Sequence, residues 1–124
     1  MKECINSYFI YNSEVRSTDD FKDELIDRGK AIYEVIRVIN GVPIFLDRHI
    51  NRIKNSAKLI CKELWLDEQT IKDRLSELIE INNITEGNIK FLFIYTEQEI
   101  KENLFLCYFI KHKYPTKEDY KEGV

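Results

Sequence analysis

A change of period at Leu46 constrains this chain more than any other feature. From Tyr33 to Ile39 apolar and polar side chains alternate, whereas from Leu46 onward the apolar residues Ile50, Ile53, Ala57, Ile60 and Leu64 recur at spacings of three and four. The first pattern is a strand with one covered face, and the second is the stripe of an amphipathic helix. Between them, Asn40-Gly41 supplies the dipeptide that tolerates positive φ at both central positions of a tight turn, and Val42 to Phe45 is expected to return as a second strand. Pro43 removes a ladder donor, which places that strand at a sheet edge or at a bulge. Beside the apolar stripe, His49, Arg52 and Ser56 fall on one sector of the helix.

The flanking segments supply the remaining layers. Tyr8 to Tyr11, the turn Asn12-Ser13 and Val15-Arg16 read as a first hairpin, while Phe21 to Ile26 is too short a pattern to assign. Asp67 is placed to cap a second helix with Ile71, Leu75, Leu78 and Ile79 on its apolar face, ended by Asn82-Asn83 and Gly87. Ile89, Phe91, Phe93 and Tyr95 then alternate with Lys90, Leu92, Ile94 and Thr96. Leu104 to Ile110 is an apolar run of the kind buried on both faces. The polar stretch from Glu97 to Asn103 joins these two strands, most simply as an antiparallel pair. The expected fold is an α+β, two-layer domain, a mainly antiparallel sheet with two helices packed on one face. It spans residues 1–112, with a charged linker at 113–124 that contains Pro115. Leu92 and Ile94 point to the face without helices, so a partner surface is expected there.

A chain of 124 residues holds one core, and 44% hydrophobic against 33% charged residues is ordinary for a globular domain. A net charge of −3 gives no general attraction to nucleic acid or anionic membranes. Leu104 to Ile110 is too short to span a bilayer and the N-terminus has no apolar signal core, so no membrane partner and a cytoplasmic location are expected. Cys4, Cys61 and Cys107 are far apart with no metal-ligand spacing, and read as reduced, mostly buried thiols.

Arg52 heads the candidate chemistry. Its planar guanidinium suits a phosphate or carboxylate, although a helix-surface arginine also serves to cover apolar area. His49 is placed to support a bound anion or to pack at the junction of hairpin and helix. Tyr33 and Glu34 point to opposite faces of their strand, so at most one of them lines a given cavity. Glu34 is otherwise an ordinary cross-strand partner for Arg37 or Lys90. Arg28-Gly29-Lys30 is a small basic cluster whose glycine allows close backbone approach, but no nucleotide-binding or hydrolase motif is present. From composition and spacing alone the chain is an α+β domain with a candidate anion site, the surface or packing roles of Arg52 and His49 staying open.

Taken together, Gly29-Lys30-Ala31-Ile32-Tyr33-Glu34-Val35-Ile36-Arg37-Val38, Asn40-Gly41-Val42-Pro43, Phe45-Leu46-Asp47-Arg48-His49-Ile50-Asn51-Arg52-Ile53 and Ser56-Ala57 resemble the N-terminal region of the class IV aminotransferases. These are pyridoxal 5'-phosphate enzymes of fold type IV, among them branched-chain and D-amino acid aminotransferases and aminodeoxychorismate lyases. The resemblance implies that Arg52 binds the cofactor phosphate, that Tyr33 lines the substrate pocket, and that Glu34 and His49 lie close to that site. It further implies amino acid and 2-oxo acid substrates and a homodimer. The family's Schiff-base lysine belongs to a second domain, expected beyond Val124, so this chain contains no catalytic residue of its own and is expected to be inactive alone. Two positions depart from the family: Gly29-Lys30-Ala31 stands where Gly-Asp-Gly is usual, and Tyr95-Thr96 where some members carry a substrate-binding arginine. The alternatives are lyase rather than transaminase chemistry, or a non-catalytic anion- or protein-binding α+β module.

Overall fold

A computed structural model describes residues 4–22, 24, 29–96 and 103–111. Arg28, most of the loop before Asn103 and the linker at 113–124 lie outside the described residues. The elements are β1 (Cys4–Tyr11), β2 (Glu14–Ser17), a 3-10 turn (Thr18–Asp20), β3 (Lys30–Ile39), β4 (Val42–Pro43), α1 (Leu46–Leu59), α2 (Glu68–Asn82), β5 (Gly87–Tyr95) and β6 (Leu104–Ile110). The strands form one antiparallel sheet in the order β2-β1-β6-β5-β3-β4. Both helices pack on one face, so the fold is the α+β arrangement expected.

Alternation sets the two faces. Ile32, Ile36 and Val38 of β3 are buried, and across the register Phe93 and Ile89 of β5 stand opposite Ile32 and Ile36. These residues meet Ile50, Ile53 and Ala57 of α1 and Ile71, Leu75 and Leu78 of α2 in the main core. Fully burying one such aliphatic side chain contributes roughly 1.5–3 kcal/mol, so this layer dominates the stability of the domain.

Four expectations from the sequence are corrected. The second strand of the central hairpin stops at Pro43, at the sheet edge, and does not reach Phe45. Ile44 still donates its N–H to the carbonyl of Arg37 at 2.9 Å, after which Phe45 adopts a left-handed conformation (φ 53°) that turns the chain into α1. The helix ends at Leu59 and not at Leu64, because Cys61 takes φ 59° and Lys62 donates back to the carbonyl of Ala57 at 2.8 Å. Leu64 nevertheless packs against the main core from the loop. Leu92 and Ile94 do not wait for an outside partner: they are buried in a second cluster with Phe9, Phe21, Leu104, Leu106 and Tyr108. Phe21, just after the 3-10 turn, supplies the cover and meets Phe9 and Tyr108 edge-on at 5.2 and 4.8 Å. Gly29 serves packing and not a ligand, since a Cβ there would lie 2.2 Å from the carbonyl oxygen of Tyr95.

Cys4 and Cys107 are buried and Cys61 is exposed. Burial, together with the neighbouring Cys4, pushes the Cys107 thiol well above its usual range, which makes it an inert core residue. No helix among the described residues is long and apolar enough to cross a membrane.

Candidate functional site

Glu34 occupies a position in β3 that its neighbours fill with Ile32, Ile36 and Val38, and its side chain is 8% exposed. A carboxylate at an apolar position requires charged or hydrogen-bonding partners. His49 and Arg52, on adjacent turns of α1, provide them: His49 Nδ1 lies 2.8 Å from Oε1 of Glu34, and Arg52 Nε lies 3.5 Å from the same oxygen. An ionised carboxylate accepts only, so His49 Nδ1 carries the proton and Nε2 faces the remaining environment. The Arg52 side chain is 70% exposed. With Nε turned to Glu34, the terminal groups of the guanidinium fork stay available to a ligand.

His49 and Arg52 border a cleft of about 410 Å³ that Phe45, Arg48 and Asn51 also line. Arg48 stacks over the Phe45 ring at 5.5 Å. No side chain caps the first turn of α1, so its backbone N–H groups add a positive end to the same region. Asp47 is drawn to Lys72 of α2 at 3.0 Å. The result is a cationic cleft that no carboxylate of the described residues lines, Glu34 being engaged by His49 and Arg52, and it suits a phosphate or another compact anion.

Of the residues singled out from sequence, the structure brings Glu34, His49 and Arg52 together. Tyr33 stands on the opposite face of β3, is 56% exposed and has Lys90 Nζ 4.5 Å from its ring centroid, so it does not share the cleft. Ser56 follows one turn after Arg52 but is not among the residues lining the cleft. Arg48, Asn51 and Phe45 were missed. Arg48 and Arg52 are four apart on a helix, and that spacing was the available signal.

A domain of this fold is found in Escherichia coli branched-chain amino acid aminotransferase, with a TM-score of 0.75 over 92% of this chain and 43% of that one. The T.th. branched-chain amino acid aminotransferase solved with pyridoxamine 5'-phosphate gives 0.70 over 93% and 43%. Identities of 18% and 17% make these likenesses of fold alone. The architecture is therefore that of an α+β domain present in aminotransferases. The model of the amino-transferase class IV family matches residues 31–123, and the chain belongs to that family. D-alanine aminotransferase from Bacillus licheniformis is 36% identical over 89 residues, 72% of this chain and 31% of that protein. The chain thus spans about a third of the length of the curated relatives it matches.

Proposed function

We propose that residues 1–112 are the small N-terminal domain of a pyridoxal 5'-phosphate-dependent class IV aminotransferase, with 113–124 leading to a second domain that carries the Schiff-base lysine. The observation that carries this reading is the Glu34, His49 and Arg52 cluster, which falls on the motif positions of the resemblance and of which His49 and Arg52 line a cationic cleft. The donor set fits a phosphate, since two guanidinium groups and an imidazole line the cleft and the buried carboxylate is already engaged. When bound, the cofactor supplies an electron sink for amino acid chemistry.

Arg52 binds the phosphate with its terminal N–H groups, and Arg48 adds a second cation at the cleft. Glu34 holds Arg52 Nε and fixes the imidazole of His49, so the phosphate meets preorganised donors. Tyr33, on the other face, shapes the substrate pocket where the second domain comes against β3. The exposure of Tyr33 and Val35 supports that placement. The complete protein works in the cytoplasm as a homodimer on an amino acid and a 2-oxo acid, and the isolated chain is inactive. Its similarity to D-alanine aminotransferase makes D-alanine the first amino acid to test and favours transamination over the lyase alternative.

In the complete protein, Arg52→Ala is expected to weaken pyridoxal 5'-phosphate binding by about 10- to 150-fold, the loss of charged hydrogen bonds worth about 1.5–3 kcal/mol. Equilibrium titration of cofactor absorbance measures this directly. An unchanged affinity would remove Arg52 from the site.

A further inference from the structure

A second cavity, sharing no residue with the cationic cleft, lies between α2 and the end of the sheet. It measures about 390 Å³, and among the described residues Asn12, Ser13, Trp65, Leu66, Arg74, Asn103 and Phe105 line it. Its two carboxamides are each fixed in one sense. Asn12 Oδ1 accepts the N–H of Phe105 at 2.9 Å while the Asn12 N–H donates to the Phe105 carbonyl at 2.8 Å, a reciprocal clamp between the first hairpin turn and β6. Asn103 Oδ1 accepts the N–H of Thr96 at 2.9 Å. Both carboxamide oxygens are thus committed, which leaves the two NH₂ groups as donors.

Arg74 adds charge. Among the described residues its buried Nε has no hydrogen-bond partner and no carboxylate forms an ion pair with it, and Oε1 of Glu77, about one turn on in α2, is likewise buried without a hydrogen-bond partner. Arg74 lines the cavity, so its guanidinium presents a positive charge to whatever occupies it. Trp65 forms the apolar wall and is itself held by edge-on contacts with Phe93 and Tyr95 at 4.9 and 5.1 Å. Leu66 and Phe105 complete the apolar lining.

We propose that this cavity is a binding site for a small carboxylate with a flat apolar body and no ammonium group. The carboxylate meets Arg74 and the two carboxamide NH₂ groups, and the apolar body lies against Trp65. An ammonium would face the Arg74 guanidinium, and among the described residues no carboxylate lines the cavity to receive it, which sets such acids apart from free amino acids. The volume falls in the range of small-molecule sites.

Trp65 is the single tryptophan of the chain, so its fluorescence reports on this cavity directly. The 124-residue protein is titrated with 3-phenylpropanoate, with neutral 3-phenylpropan-1-ol and with cationic 3-phenylpropylamine, and the side-chain NH₂ resonances of Asn12 and Asn103 are followed by NMR. The expected result is a saturable response to the acid, accompanied by shifts of both NH₂ pairs. The alcohol is expected to bind about tenfold more weakly or worse, and the amine not at all, as suits a charge-assisted contact. Arg74→Gln is expected to bring the acid down to the level of the alcohol, with far-UV circular dichroism checking its fold. If that variant does not fold, the acid and alcohol on the unaltered protein decide the matter. No saturable change up to about 10 mM, past the affinity a ligand of this size ordinarily reaches, overturns the proposal. Equal binding of acid and alcohol, or undiminished binding by a folded Arg74→Gln protein, overturns it as well.

Discussion

His49 Nδ1 stands 2.8 Å from Oε1 of Glu34, a carboxylate with an 8% exposed side chain at a position where the strand's other inward residues are aliphatic. The pair fixes a tautomer. Long-range ¹H–¹⁵N correlation is expected to show the neutral His49 ring protonated on Nδ1. Glu34→Leu leaves that N–H without its acceptor and is expected to cost about 1–3 kcal/mol in chemical denaturation. A ring found protonated on Nε2 in the unaltered protein would contradict the assignment.

Phe21 closes the second cluster. Phe21→Ala removes the ring that meets Phe9 and Tyr108 and is expected to cost about 3–5 kcal/mol. Thermal melts measure the loss, and a change under about 1 kcal/mol would show that the face without helices is covered by other means.

Asn82 ties α2 to the irregular part of β1. Its Oδ1 accepts the N–H groups of Ser7 and Tyr8 at 3.1 and 3.0 Å, and its Nδ2 donates to the carbonyls of Tyr8 and Leu78 at 3.1 and 3.0 Å. The β1–β6 register shifts between Ile5 and Ile10, and the backbone groups displaced there find their partners in this side chain. Asn82→Ala is expected to lower stability by about 1–3 kcal/mol. The discriminating observation is hydrogen exchange: faster exchange at Ser7 and Tyr8 is expected, with the β3–β5 amides changed only through the global loss.

Asp67 caps α2, its carboxylate accepting the Thr70 N–H at 2.8 Å. The Thr70 hydrogen bonds hold its ionisation below the usual carboxylate range. A group lowered in the folded state contributes stability that is full above its unfolded value, about 3.9, and is lost as pH falls through the lower native value. Asp67→Asn keeps a capping oxygen without the charge. The melting temperature of the unaltered protein is expected to exceed that of the variant at neutral pH, with the gap closing in acid. A gap independent of pH would rule out the charge as its source.

Much of the fold was legible because it depends on neighbours in sequence. The alternation from Tyr33 to Ile39, the turn at Asn40-Gly41 and the Asp67 cap each act within a few residues, and each stands where its chemistry places it. The ends of elements were less legible. Phe45 and Cys61 adopt left-handed conformations that no glycine announces, so the short β4 and the early end of α1 did not show in the pattern. Within the cationic cleft, His49 and Arg52 stood out by their place on the helix. The role of Glu34 did not, because its partners lie 15 and 18 positions away and are reached only when α1 folds back over β3.

By itself the sequence determined the periods, the turn, the helix cap and the motif residues, all properties of short windows in which backbone geometry decides which side chains share a face. Tertiary structure decided which faces meet. It gathered Glu34, His49 and Arg52 around one carboxylate oxygen and buried Leu92 and Ile94 in a cluster with Phe9 of the first strand and Phe21, just after the 3-10 turn. The physical reason is that burial and charge pairing depend on distances through space. Strand register and helix placement set those distances, and periodicity does not encode them.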